Sequence, residues 1–89
     1  MYDILIKNAV IYDGTGADAF TGSVAVKDGH IAAVGDSGGT AAHVIDAAGR
    51  ALTPGFIDPH SHADLSALMY AGMEAYLLQG VTTVVGGNC

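Results

Sequence analysis

The sequence is poor in cysteine and in basic residues, and both shortages argue against whole classes of protein. Cys89 is the only cysteine among 89 residues, so no disulfide can form within the chain. This usage is typical of a reducing compartment, and we expect a cytoplasmic protein. The three basic residues, Lys7, Lys27 and Arg50, are scattered along the sequence, and the net charge is −6. The absence of a basic patch argues against nucleic acid partners and against docking on anionic membranes.

Long apolar runs are also missing. The N-terminus has no basic segment followed by a long apolar segment, so no signal peptide is expected. The longest uncharged stretch, residues 75–89, is interrupted by glycine and polar residues, so no membrane span is expected. Instead, 51% of the residues are hydrophobic and 13% are charged, which predicts a folded chain whose strands are buried on more than one side. Because so short a chain buries little surface, we expect it to depend on further chain or on a partner.

Residues 1–52 predict a block of short strands. In "GSVAVKDGHIAAVG", Val24 and Val26 alternate with small or polar residues, and Asp28-Gly29 supplies the central positions of a type I′ turn. Further strands are predicted in "YDILIKNAVIYDG" and in "HVIDAAGR". An all-β unit with open edges usually needs another sheet to pack against. We therefore expect residues 1–52 to be a β-sandwich segment that a further part of the protein completes.

Residues 53–89 predict a strand, a helix and a second strand. The apolar stretch "ALTPGFID" reads as one strand, and Val81 to Val85 form a β-branched run. Between them, apolar residues recur at helical spacing: Leu65, Leu68, Met69, Met73, Tyr76 and Leu77. Neither strand shows strict alternation, as is typical of strands covered on both faces. The pattern predicts an α/β fold in which this region is the first βαβ unit of a parallel sheet or barrel.

Two histidines follow the first of these strands. If the extended conformation continues, Asp58, His60 and His62 face the same side, at the strand end where parallel β/α folds build active sites. Cys89 follows the second strand, whose end lies about 5 Å away if the two strands are neighbours. Two imidazoles and a thiolate would supply the three protein ligands of a catalytic zinc ion. The alternatives are a polar turn that contains histidine and a cysteine that serves only as a small hydrophobic residue.

The order of these motifs resembles one family. "PGFIDPHSH" after "DAAGRALT" is similar to the beginning of the amidohydrolase superfamily, metal-dependent hydrolases built on a (β/α)8 barrel with a small β-sandwich. "QGVTTVVGGNC" resembles the N-acyl-D-amino-acid deacylase branch, the D-aminoacylases. The resemblance implies that this chain is the N-terminal part of such a barrel together with its sandwich segment. It extends over essentially all of the chain but only over the beginning of a family member.

The resemblance also assigns roles to individual residues. His60 and His62 match the metal histidines of the first barrel strand, and Cys89 matches the cysteine that binds zinc where hydantoinase-like relatives use a carboxylated lysine. Asp58 matches a position that orients a ligand. One or two zinc ions are implied. No catalytic residue is assigned in this segment, because the general base is expected on a later strand.

The implied reaction is hydrolysis of the amide of an N-acyl-D-amino acid, giving a carboxylate and a free D-amino acid. Two alternatives stay open: a cyclic-amide hydrolase of the hydantoinase or dihydroorotase type, and a non-catalytic scaffold fragment. The segment alone is expected to be inactive, and its partner would be the rest of the polypeptide or a second chain that completes the barrel. Cys89 is not expected to be a natural C-terminus, because a terminal ligand would fray.

Overall fold

The chain divides into two units, Met1–Pro54 and Gly55–Cys89. The computed structural model describes residues 1–35, 38–59 and 73–85. In chain order the elements are β1 (Tyr2–Ile11), β2 (Phe20–Lys27), β3 (His30–Gly35), β4 (Ala41–Asp46), β5 (Ala51–Leu52), β6 (Phe56–Asp58), α1 (Glu74–Leu77) and β7 (Val81–Val84). Within the described ranges, no helix is long and apolar enough to cross a membrane.

The first unit is a mixed five-stranded sheet centred on β1. Its strand order is β3-β2-β1-β4, and β5 also pairs with β1. Strand β1 is antiparallel to β2 and parallel to β4 and β5. The register between β1 and β2 shifts between Ile6 and Ala9, where Asn8 has a positive φ of 56°. This irregularity turns Ala9 and Ile11 toward the face that Ile6 already occupies.

A small core lies on that face. Ala9, Ile11 and Val24 are buried, and Ile6, Ala47 and Leu52 pack against them. The same face carries an open apolar groove of about 280 Å³, lined in part by Val34 and Ile31. Ile31 is 69% exposed there, so the groove holds much more apolar surface than the first unit covers by itself.

The predicted hairpin between β2 and β3 is confirmed. Asp28 and Gly29 both have positive φ, 51° and 76°, as the two central residues of a type I′ turn require. The Asp28 N–H donates a 2.8 Å hydrogen bond to Oδ2 of Asp3, and Lys27 Nζ lies 3.9 Å from Oδ1 of the same carboxylate. The turn is therefore tied to the start of β1 as well as favoured by its own sequence.

The prediction of one strand in "ALTPGFID" is wrong. Ala51 and Leu52 form β5 and pair with the end of β1, whereas Phe56–Asp58 forms β6 in the second unit. The Leu52 carbonyl accepts a 2.9 Å hydrogen bond from the Tyr12 N–H, which holds β5 in the first sheet. Pro54 has no N–H to donate and ends this pairing, so the two pieces belong to different sheets.

The second unit contains a strand, a helix and a strand, as predicted. Helix α1 is one turn long, and Gly80 beyond it has φ +83°, the left-handed conformation typical of a residue after a helix end. The Gly80 N–H donates to the Leu77 carbonyl at 3.0 Å. The predicted helical spacing before Met73 falls on residues outside the described ranges.

Candidate metal centre

The site is defined by two parallel strands that end side by side. Phe56 of β6 pairs with Val81 of β7, and Asp58 pairs with Val84, which confirms the predicted parallel neighbours. Backbone hydrogen bonds hold both ends: the Phe56 N–H donates to the Gly80 carbonyl at 2.8 Å, and the Val85 N–H donates to the Asp58 carbonyl at 2.9 Å. The chain therefore leaves both strands at one edge of the sheet, which is where parallel β/α folds collect functional groups.

The three predicted metal ligands lie outside the described residues. In the sequence, His60 and His62 follow Asp58 by two and four positions, and Cys89 follows Val85 by four. Within the part of the chain that the structure describes, no group of three histidine, cysteine or acidic side chains could hold a metal ion. The assignment of His60, His62 and Cys89 as ligands stays a prediction.

Asp58 is the predicted site residue that the structure does describe. It is the last residue of β6, it is half-buried, and its backbone carbonyl is bonded to Val85. This bond joins backbone atoms only. The role of Asp58 in orienting a ligand stays a prediction.

Two carboxylates of the first unit, those of Asp13 and Asp46, have lowered pKa values. Two hydrogen bonds from Thr15, from its hydroxyl at 2.6 Å and its backbone N–H at 3.0 Å, lower the pKa of Asp13. The side-chain amide of Asn8 and the backbone N–H of Ala48 lower the pKa of Asp46, and the amide has the larger effect. All of these bonds are exposed; they stabilise turns and, between Asn8 and Asp46, join β1 to β4, so they do not identify a second site.

Sequence reasoning missed an irregularity between the two strands. Phe56 pairs with Val81 but Ile57 pairs with Thr83, so Thr82 is an extra residue in β7. A side chain on Gly55 would collide with Thr82: a Cβ there would lie 2.7 Å from the Thr82 Cβ and closer still to its hydroxyl oxygen. The only signal in the sequence is a glycine beside a strand, which often marks a close approach of two backbones.

Comparison with known proteins identifies the family to which the chain belongs. The family model described as "Amidohydrolase family" matches residues 43–89, which is more than half of the chain. The chain belongs to the amidohydrolase family, and its relatives are amidohydrolase enzymes.

Individual relatives show which enzymes of the family this chain is similar to. The N-acyl-D-aspartate deacylase of Alcaligenes xylosoxydans xylosoxydans is 47% identical over 88 residues, covering 98% of this chain and 18% of the relative. An adenine deaminase of Listeria welshimeri is 39% identical over 84 residues, covering 93% of this chain and 14% of the deaminase. This part of the sequence is thus shared by enzymes with different substrates.

Two solved structures share the fold of this chain. The N-acyl-D-glutamate deacylase of Bordetella bronchiseptica, complexed with zinc and a phosphonate inhibitor, is 43% identical, with a TM-score of 0.90 over 99% of this chain. A D-aminoacylase with a binuclear metal center, activated by one metal and attenuated by the second, is also 43% identical, with a TM-score of 0.92 over 100% of this chain. In both comparisons, this chain spans 19% of the solved chain.

Proposed function

We propose that the whole protein to which this chain belongs hydrolyses the amide bond of N-acyl-D-amino acids and releases a carboxylate and a free D-amino acid. The observation that carries the proposal is the 47% identity to an N-acyl-D-aspartate deacylase over 98% of this chain. The family model matches residues 43–89, which include the ends of β6 and β7 and the sequence that follows them, where the metal ligands are predicted. The substrate class would therefore be an acylated D-amino acid.

Zinc fits the donor set that this chain offers. His60 and His62 supply imidazole nitrogens and Cys89 supplies a thiolate, ligand types that zinc readily accepts. One or two ions would be held, with Asp58 orienting a ligand from the end of β6. When bound, zinc supplies Lewis acidity and brings the pKa of a water toward about 7. The residues of this chain would hold and orient the metal, whereas the proton would be moved by a group elsewhere in the protein.

The remaining polypeptide is proposed to complete both units. Residues 53–89 would form the first βαβ unit of a (β/α)8 barrel, and residues 1–52 would form part of a β-sandwich. The apolar groove of the first sheet supports the second statement, because Ile31 and Val34 expose surface that another sheet from the same polypeptide would cover. This chain alone would be inactive, since barrel active sites draw residues from several strands. A cytoplasmic location, without nucleic acid or membrane partners, stays a prediction.

Purine deamination is the second candidate. The observation that favours it is the 39% identity to an adenine deaminase over 84 residues. A cyclic-amide hydrolase of the hydantoinase or dihydroorotase type is the third. Against it stands the predicted Cys89 ligand, because the resemblance places a cysteine where hydantoinase-like relatives use a carboxylated lysine.

The experiment that separates these candidates is a substrate panel on the full-length protein. The panel contains N-acetyl-D-amino acids, including acidic ones, their L-enantiomers, hydantoin, dihydroorotate and adenine. We expect release of free amino acid from D-substrates only, loss of activity after chelation, and recovery with added zinc. Turnover of adenine or of cyclic amides without turnover of the D-substrates would contradict the proposal. The L-enantiomers are the matched control for the stereochemistry of the site.

A further inference from the structure

Two Asp–Gly pairs lie on the surface of the first unit, Asp13–Gly14 and Asp28–Gly29. We propose that Asp28 is a site of spontaneous isoaspartate formation, whereas hydrogen bonds from Thr15 protect Asp13 from the same reaction. The modification needs only water as a reactant. It is independent of the proposed metal centre, because all of these residues belong to the first unit.

The reaction joins the aspartate side chain to the peptide bond that follows it. The backbone nitrogen of the glycine attacks the side-chain carboxyl carbon, a C–N bond forms, and the carboxyl group loses one oxygen as water. Water then opens the succinimide ring at either carbonyl, which gives aspartate again or isoaspartate, whose main chain runs through the former side chain. Water is lost and regained, so no oxidant or other reactant is needed. Glycine favours the attack because no side chain shields its nitrogen.

The carboxylate of Asp28 is free for this reaction. The two hydrogen bonds of this residue use backbone atoms: its N–H donates to Oδ2 of Asp3 at 2.8 Å, and its carbonyl accepts from Nδ1 of His30 at 2.9 Å. Within the described ranges, no group donates to the Asp28 carboxylate, and the Gly29 N–H has no acceptor. A Cβ on Gly29 would meet no atom within 4 Å, so the space beside the attacking nitrogen is open.

The carboxylate of Asp13 is held, although its pair has the same sequence and is equally exposed. Its Oδ1 accepts a 2.6 Å hydrogen bond from the Thr15 hydroxyl and a 3.0 Å bond from the Thr15 N–H. The hydroxyl itself accepts a 3.3 Å bond from the Ala17 N–H, which fixes it in the loop. These bonds from Thr15 lower the pKa of Asp13. The protonated carboxyl group, the form that can release water, is therefore rarer at Asp13.

Isoaspartate at position 28 would change the hairpin between β2 and β3. Lys27 pairs with His30 across a loop of two residues. Isoaspartate adds one carbon atom to the main chain between these partners, whereas the type I′ geometry is that of two ordinary residues. The tip of the hairpin would therefore change shape, and the bond from position 28 to Asp3 would have to move with it.

The test is peptide mapping of the full-length protein after incubation at neutral pH and physiological temperature. Electron-transfer mass spectrometry distinguishes isoaspartate from aspartate, so both Asp–Gly pairs are measured in one sample. Incubation in urea gives the rates that the sequence alone sets, without the hydrogen bonds of the fold. Thr15→Val removes the donating hydroxyl and keeps the shape of the side chain. Thr15→Ser, which keeps the hydroxyl, is the matched control.

We expect isoaspartate to form at Asp28 about threefold or more faster than at Asp13 in the folded protein, a factor within the range that one net hydrogen bond supplies. In urea the two rates should approach each other. Thr15→Val should raise the rate at Asp13 toward that at Asp28 and leave the rate at Asp28 unchanged. Thr15→Ser should leave both rates unchanged.

Four results would overturn the inference. The first is an equal or faster rate at Asp13 in the folded protein, and the second is a difference between the pairs that persists in urea. The third is an Asp13 that stays as slow in Thr15→Val as in Thr15→Ser. The fourth is isomerisation of both pairs in urea and of neither in the folded protein, which would show that the turn protects Asp28 as well as Thr15 protects Asp13.

Discussion

Replacement of Asp58 should weaken zinc binding without disturbing the strands that carry the site. In Asp58→Asn the side chain keeps its size but loses its negative charge. The hydrogen bond that joins the strand ends, from the Val85 N–H to the Asp58 carbonyl at 2.9 Å, uses only backbone atoms and is kept in this variant. The pairing of β6 with β7 should therefore survive the substitution.

The expected loss of zinc affinity follows from the proposed role of the Asp58 carboxylate in orienting a metal ligand. Loss of a group that orients a metal ligand typically reduces affinity by about 10–100-fold, which corresponds to about 1.4–2.8 kcal/mol of binding free energy. Asp58 is half-buried and asparagine has nearly the same volume, so little packing is lost at the strand end. Unfolding is measured beside zinc affinity, so that any loss of stability is recorded separately from the loss of metal binding.

The assay is zinc competition with a chromophoric chelator on the full-length protein, together with thermal unfolding followed by circular dichroism. Asp46→Asn is the matched control: it also changes an aspartate at the end of a strand, but its carboxylate accepts a hydrogen bond from Asn8 in the first unit. Asp46→Asn should bind zinc normally. A zinc affinity of Asp58→Asn within about twofold of the unaltered protein, or an equal loss in both variants, would refute the reasoning.

Three further predictions concern the first unit. Gly29 has φ +76°, and a Cβ there would meet no other atom, so the cost of a side chain comes from the left-handed backbone alone. Gly29→Ala should lower the unfolding free energy, measured in urea, by about 1–2 kcal/mol, and Gly29→Asn should lower it less. Equal losses in the two variants would contradict this explanation. The Asn8 amide is the main cause of the lowered pKa of Asp46, so Asn8→Ala should raise that pKa toward 3.8 in an NMR titration while Asp13 titrates as before. Because the pKa of Asp46 is lower in the folded than in the unfolded state, its carboxylate stabilises the fold at pH values above the unfolded pKa, and this stabilisation is lost as the pH falls through the folded pKa. An unchanged pKa of Asp46 in Asn8→Ala would count against the assigned hydrogen bond. Ile31 is 69% exposed here, and if the remaining polypeptide covers the groove, Ile31→Ala should destabilise the full-length protein by about 2 kcal/mol or more, as truncation of a buried isoleucine does; unchanged unfolding would show that the groove stays open.

The features that the sequence predicted well depend on local chemistry. The turn at Asp28-Gly29 follows from the positive φ that a type I′ turn demands at both positions. The parallel pairing of β6 and β7 follows from a strand, a short helix and a second strand in succession. Gly80 marks the region after the helix because glycine adopts the left-handed conformation at little cost.

The features that the sequence did not predict depend on partners distant in the chain. Ala51 and Leu52 look continuous with the next apolar residues, but they pair with Val10 and Ile11, about forty positions earlier. The extra residue Thr82 has no signature in the spacing of β7, since only the partner strand defines it. For the candidate site, the sequence predicted which strand ends approach each other. The sequence predicted no proton-transferring group in this chain, because the resemblance places that group on a later strand.

Zinc content of the full-length protein decides whether His60 and Cys89 bind metal as proposed. We predict that His60→Ala and Cys89→Ala each lose zinc by elemental analysis, because each removes one of three donor atoms of the same ion. His43→Ala, which changes an exposed histidine of the first unit, should keep the zinc content of the unaltered protein. Full zinc content in both His60→Ala and Cys89→Ala would contradict the proposed metal centre.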